Sequence, residues 1–382
     1  MIGRIALRRP PISPVVVVLG GLIIFAFVVA MIRYLNGLGA TTNLNDNTPW
    51  GLWINFDLLC GVALASGAFI TASMVYLFGG EQYRPLLRPA ILTGFLGYLM
   101  VIVALLVDLG HPERIWYLII FWNPHSVMFE VGWCVMLYTF VLALEFSPLV
   151  FERFGMEAPR RLIHALIIPL AIAGATLSTL HQSSLGSLYV ILPDQLHKVW
   201  HTPLLPLMFW LTAVAVGPAM VIVESIVSSR VFRRGLELDL LGGLARVIPF
   251  VLAAYIAVKI GDLAGSGELG LLTEWGLESG LFWLEMLGFV LLPLVLFSLP
   301  AVRQSSAWLL FSALLVVSGV ILSRFAVGLI ALGKPEFAAS YVPHPLEFAV
   351  TIGVVSAGIV AFGLVARYLP LFTEYAASPT AK

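Results

Sequence analysis

Ten runs of twenty or more mostly apolar residues follow one another along this sequence. They lie near 14–36, 51–78, 89–110, 126–148, 161–182, 203–228, 242–264, 277–300, 305–327 and 344–369, and the polar connections between them are short. About 20 such residues in helical form cross the hydrocarbon core of a bilayer. Lipid offers backbone amides no partner, so runs of this kind specify helices. With 60% hydrophobic and 11% charged residues, against about 25% charged in soluble domains, the protein cannot clothe itself in a polar surface. The expected fold class is all-α, a single polytopic membrane domain over 1–382 with about ten transmembrane helices. The first run follows Arg8 and Arg9 without a small-residue cleavage site, and reads as a retained helix rather than a signal peptide.

Basic residues set the expected orientation. Arg4, Arg8, Arg9, Arg84, Arg88, Arg153, Arg160, Arg161, Arg230, Arg233, Arg234, Arg246, Arg303, Arg367 and Lys382 fall on one side, 15 of the 21 Lys and Arg. Arg33, Arg114, Lys198, Lys259, Arg324 and Lys334 do not. Ten spans with both termini in the cytoplasm fit this asymmetry. The net charge is zero and no basic block occurs, which gives nucleic acid no footprint.

The other side carries the unusual residues. Trp50, Trp53, Trp116, Trp122, Trp200 and Trp275 all map to the outer, periplasmic face or just beneath it. They form either an uneven aromatic belt or the docking surface of a partner protein, since aromatics concentrate at interface cores. Ionisable groups within spans are costly and face a bundle interior or a cavity. Asp57 is expected about two turns inside the second span, Asp108 at the outer end of the third and Glu130 in the first turns of the fourth. Lys259 and Asp262, three apart and so on one face, sit in the seventh span. Glu285 lies about two turns inside the eighth, Arg324 near the outer end of the ninth, and Glu347 in the first turn of the tenth. Lys259 and Asp262 read as an ion pair that fixes packing, or as part of a proton route. Asp57, with Trp53 and Asn55 beside it, suggests a wet pocket.

The segment LSTLHQSSLGSLYVI at 177–191 puts His181, Gln182, Ser183 and Ser184 where the fifth apolar run ends. A haem ligand, a quinone clamp and a helix cap are all chemically open to it. Membrane b-type haem needs two histidines at matching depth, whereas His111, His125, His181, His197, His201 and His344 are expected at outer helix ends or loops, and His164 near the opposite end. Cys60 and Cys134 form no CxxC or CxxCH, which leaves no ligand set for a thiolate-bound cluster or c-type haem. No HExxH or other metal-ligand spacing occurs; His197 and His201, at i, i+4 in a Pro-flanked loop, read as surface residues.

Four strings occur together here: PWGLWINFDLLCGVALASGAF at 49–69, DLGHPERIWYL at 108–118, NPHSVMFE at 123–130 and LHQSSLGSL at 180–188. They resemble the HybB-like branch of the NrfD/PsrC family of polysulfide-reductase-type membrane subunits, in order and over nearly the whole sequence. The resemblance implies a first four-helix bundle at about 51–182, a second at about 203–327, and flanking helices at 14–36 and 344–369. It implies a subunit of the bacterial inner membrane that holds neither haem nor iron–sulfur cluster. Such a subunit exchanges electrons with a periplasmic, ferredoxin-like iron–sulfur subunit, and through it with a catalytic subunit that is a nickel–iron hydrogenase in this branch. It implies a quinone, menaquinone or ubiquinone, bound in the outer half of the first bundle, with proton translocation proposed for some members.

Residues and resemblance point to one layer. Trp50, Asn55, Asp57, His125, His181 and Gln182 are the expected quinone-binding residues, because a quinone needs hydrogen-bond donors at its carbonyls and apolar walls for ring and tail. Asp57, Asp108, Glu130, Lys259, Asp262 and Glu285 are the expected proton carriers. Gln182 or Ser183 is expected to hold the His181 tautomer. Two rival classes are a secondary transporter, for which Pro169, Pro206 and Pro218 would break helices, and a pure anchor for a periplasmic redox enzyme.

Overall fold

The computed structural model describes residues 14–45, 48, 50–191, 196–274, 276–330 and 341–372. Arg4, Arg8, Arg9, Trp275, Lys334 and Lys382 lie outside the described residues. The long helices are α1 Pro14–Asn36, α2 Trp53–Tyr76, α3 Arg84–Asp108, α4 Val127–Phe154, α5 Glu157–Ala165, α6 Ile167–Val190, α7 Leu205–Phe232, α8 Leu238–Ser266, α9 Leu277–Ser298, α10 Ser306–Ile330 and α11 Pro345–Tyr368. Among the described residues nine of them are individually long and apolar enough to cross a membrane, and α5 with α6, bent by 59°, brings the number to ten when the bent pair is taken as one span. No strand occurs among the described residues.

Local chemistry sets the helix ends. Ser126 caps α4 by accepting the Phe129 amide, and Gly155 ends it at φ +67°, a left-handed conformation that costs glycine nothing. At α11 the His344 ring accepts the Leu346 amide while the Glu347 carboxylate accepts that of His344, with Pro345 at the first helical position. This reciprocal box satisfies amide donors that a helix start leaves open.

Helices α2, α3, α4 and α6 pack as the first bundle, and α7, α8, α9 and α10 as the second. The pair α1 and α11 runs alongside, against α3 and the start of α2. Helix α7 joins the bundles by packing on α6 and α2. There Ser66 Oγ donates to the Ala213 carbonyl at 2.8 Å, and a Cβ on Gly67 would stand 3.1 Å from the Gly217 oxygen. Small residues let the backbones close, the usual basis of helix association in lipid.

Two expectations change. Helix α6 does not end at 182 but runs eight residues further, so 183–190 is helix and not loop. Ser184 and Ser187 donate to the carbonyls four residues back, Leu180 and Ser183, so their hydroxyls are satisfied inside the helix rather than ending it. The other change is π-helical winding at Trp53–Cys60, Leu284–Leu291 and Ala326–Ile330. Such turns are uncommon and gather at functional sites.

Candidate functional site

The face formed by loops 37–45, 109–126 and 196–204, here called the aromatic face, was expected to gather one layer of polar residues. The structure distributes them over three buried groups, a further buried flank around Asp57 and one exposed loop.

The first group lies deep in the first bundle. His181, nine residues inside α6, is fully buried, and its Nδ1 shares a 2.9 Å hydrogen bond with the Tyr98 hydroxyl of α3. Tyr138 of α4 meets Tyr98 edge-on at 4.8 Å. Gln182, also fully buried, donates to the Val62 carbonyl at 3.1 Å, beside the break in α2 at Ala65–Ser66. Tyr98, rather than Gln182 or Ser183, therefore orients the His181 ring. His181 Nε2 and Gln182 Oε1 remain buried without a hydrogen-bond partner. Leaving a buried polar atom unsatisfied costs about 1–3 kcal/mol.

The second group sits where the bundles meet. The Tyr189 hydroxyl donates to Asn55 Oδ1 at 3.4 Å, Asn55 Nδ2 donates to the Gly51 carbonyl at 2.8 Å, and Trp50 packs edge-on against Tyr189 at 5.1 Å. Gly328 of α10 faces them so closely that a Cβ there would meet Asn55 Oδ1 at 1.6 Å.

Asp57 turns away from both groups, because residues two apart on a helix point to nearly opposite sides. It accepts a 2.7 Å hydrogen bond from Thr351 of α11. One turn earlier Trp53 Nε1 donates to the Glu347 carbonyl, and the Glu347 carboxylate accepts from the Asn43 amide and the Tyr341 hydroxyl. Burial and that carboxylate push the Tyr341 phenol above its ordinary pKa. Asp108 lies within electrostatic range of Arg33, Glu347 and Asp57, and Arg33 donates to the Leu109 carbonyl. The expected pairing of Asp57 with His181 in one pocket is therefore not what the structure shows: Asp57 belongs to the α2–α11 flank.

His125 and Glu130 are exposed and join none of these groups. They border the loop where Trp116, Tyr117, Ile119, Ile120, Phe121 and Trp122 are all exposed. Trp122 meets Trp133 at a tilt, with ring centroids 4.8 Å apart, and donates to the Ile119 carbonyl. Nearby, the Glu113 backbone amide and the His111 ring hold the Glu113 carboxyl below its usual range. Trp53 and Trp200, by contrast, are buried to 2% exposure and contribute no outer surface.

The third buried group is in the second bundle. Lys259 does not pair with Asp262. It bonds both Glu285 oxygens at 3.0 and 3.1 Å, and the Tyr255 hydroxyl donates to the same carboxylate at 2.5 Å. Asp262, half-buried, lines with Lys259 and Arg324 a cavity of about 10 Å³, room for about one water. Arg324 donates to Phe209 O and Thr212 Oγ1 and lies 3.5 Å over the Phe209 ring.

Sequence reasoning passed over Tyr98, Tyr189, Thr351 and Glu145. For the tyrosines a signal was present, since a buried phenol seeks a hydrogen-bond partner. Thr351 gave no comparable sign of its partner, nor Glu145 of its burial.

Two helical bundles, helices long enough to span, and polar groups enclosed between them define a polytopic integral membrane subunit with buried ionisable sites. The protein belongs to the family described as "Polysulphide reductase, NrfD", which matches residues 40–333. It is 35% identical over 368 residues, covering 94% of its own length and 93% of the relative, to the "Probable Ni/Fe-hydrogenase 2 b-type cytochrome subunit" of Escherichia coli. It is 29% identical over 369 residues, covering 89% and 87%, to the "Menaquinone reductase, integral membrane subunit" of Nitratidesulfovibrio vulgaris. Over 388 residues, covering 94% of both, it is 22% identical to the "Hdr-like menaquinol oxidoreductase integral membrane subunit" of Archaeoglobus fulgidus.

Proposed function

We propose that the protein is the haem-free, quinone-reactive membrane subunit of a respiratory oxidoreductase. It passes electrons between a periplasmic iron–sulfur subunit, of a hydrogenase complex in the reading favoured here, and a membrane quinone. The reaction is quinone plus two electrons and two protons to quinol, or its reverse. The observation that carries this reading is the pair of unused hydrogen-bonding atoms, His181 Nε2 and Gln182 Oε1, on consecutive buried residues of the first bundle. Relatives described as a menaquinone reductase subunit and a hydrogenase subunit support it.

In this reading His181, oriented by Tyr98, donates to a quinone carbonyl, and Asn55, Trp50 and Gln182 shape the site. Asp57 and Asp108 on the α2–α11 flank supply or remove protons, and Lys259, Glu285 and Asp262 do so in the second bundle. The aromatic face is the periplasmic one, consistent with the Lys and Arg asymmetry, and its exposed strip around Trp116–Trp122 receives the iron–sulfur subunit. Histidine placement supports the absence of haem. Of the seven, only His181 is buried within a span, and its Nδ1 is already engaged with Tyr98.

The test is to purify the assembled complex and measure quinone-dependent turnover beside a reduced-minus-oxidised spectrum. Turnover without a b-type band at one haem per membrane subunit is expected. A complex that oxidises its donor with artificial dyes yet never reduces quinone would leave this protein an anchor.

A further inference from the structure

On the face opposite the aromatic one, a cavity of about 760 Å³ lies between the start of α3, the later part of α4 and the bend from α5 to α6. At about 30 Å³ per water molecule this is space for roughly 25 waters. Its rim is charged: Arg84 pairs with Glu81 at 3.0 Å, Arg88 pairs with Glu152 at 2.8 Å, and His164 lies beside them. The rim cations thus already have partners, so the cavity offers no free positive charge to an anion. Farther in, the same cavity is lined by Glu145 of α4. Glu145 lies nine residues from the end of its helix, about 13 Å along the axis. It is only 7% exposed, and its Oε1 has no hydrogen-bond partner. No cation pairs with it among the described residues, unlike Glu81, Glu152 and Glu285.

An isolated carboxylate at this depth is expensive and marks a cavity or a pathway. Tyr138 stands two turns inward along the same face of α4, within electrostatic range of Glu145. Gly174 of α6 packs against both: a Cβ there would lie in ordinary contact, 3.9 Å from Glu145 Oε1 and 3.5 Å from the Tyr138 ring. We propose that this cavity is an aqueous vestibule through which protons enter from the face opposite the electron donor, with Glu145 as the group that takes them up and passes them inward. This rests on the quinone reading above, in which each quinone accepts two electrons from the iron–sulfur subunit and two protons. A proton leaves vestibule water for the Glu145 carboxylate and moves on toward Tyr138, and the carboxylate is restored for the next.

The test uses the assembled complex in oriented proteoliposomes. Glu145→Cys should react with a sulfonated, membrane-impermeant maleimide added on the Arg84/Arg88 side and not from the other. Leu142→Cys, fully buried one turn deeper, and the wild-type protein with its buried Cys60 and Cys134 should give background. Glu145→Gln should lower quinone turnover at least tenfold while quinone-site inhibitor affinity stays within twofold, and Glu145→Asp should recover most of the rate. A cysteine at 145 that is unreactive from the Arg84/Arg88 side would overturn the vestibule. Wild-type turnover in Glu145→Gln, or loss of inhibitor binding along with turnover, would overturn the proton role. Wild-type turnover is measured first; if quinone is not reduced at all, the function proposed above falls, and the labelling alone decides the vestibule.

Discussion

Lys259 and Glu285 face each other across the second bundle at 3.0 Å, with the Tyr255 hydroxyl bonded to the same carboxylate. Asp262, the nearer acid in sequence, stands aside. Two opposite charges enclosed together satisfy each other, and removing either one strands the other. Lys259→Met should therefore destabilise the complex by about 3–5 kcal/mol, whereas Lys259→Met with Glu285→Leu should lie much closer to wild type. Thermal unfolding of the detergent-purified complex measures this. A double variant that keeps its proton-to-electron ratio would assign the pair a packing role only.

His181→Leu should weaken the binding of quinone-like inhibitors and leave the Tyr98 hydroxyl without its partner. Loss of one hydrogen bond of this kind typically costs about 0.5–1.5 kcal/mol, more if charge-assisted. Inhibitor titration of the assembled complex should thus show a several-fold rise in Kd. Unchanged affinity would move the quinone elsewhere.

Asp57→Asn keeps a side-chain oxygen that can still accept from Thr351, but removes the titratable proton. Turnover should fall more than inhibitor affinity does. If both are unchanged in a fully assembled complex, Asp57 serves only to tie α2 to α11.

Gly328→Ala adds a methyl group at 1.6 Å from Asn55 Oδ1 and 2.8 Å from the Tyr189 hydroxyl. Overpacking of this kind costs about 1–3 kcal/mol or more, and here it strikes the junction of the bundles. The variant should lose thermal stability and quinone turnover together; one that matches wild type in both would show that α10 can move away from α2.

Trp122→Glu places a charge in the exposed aromatic strip, where Trp122 itself is 64% exposed. The membrane subunit should still fold, while the iron–sulfur subunit should wash off during purification. Retention of the partner through Trp122→Glu and Trp116→Glu would put the docking surface elsewhere.

The nine to ten spans were legible in the sequence because lipid admits so few solutions: an apolar run of the right length must become a helix, whatever surrounds it. Composition and spacing alone therefore determined the all-α membrane architecture, and the four quoted strings pointed to the family. Which polar side chains meet was not legible. Asn55 and Asp57 stand two residues apart, yet one joins Tyr189 and Gly328 while the other joins Thr351, nearly three hundred positions away. His181 looked like a helix-end residue, yet α6 continues to Val190 and leaves it nine residues inside, with the Ser184 and Ser187 hydroxyls satisfied by carbonyls of their own helix. Lys259 took Glu285 over Asp262 because helix packing sets the Glu285 carboxylate 3.0 Å away. A charge in lipid is settled by whichever partner the packed helices bring within hydrogen-bonding distance, and rotation of one helix against another is decided only when all of them pack.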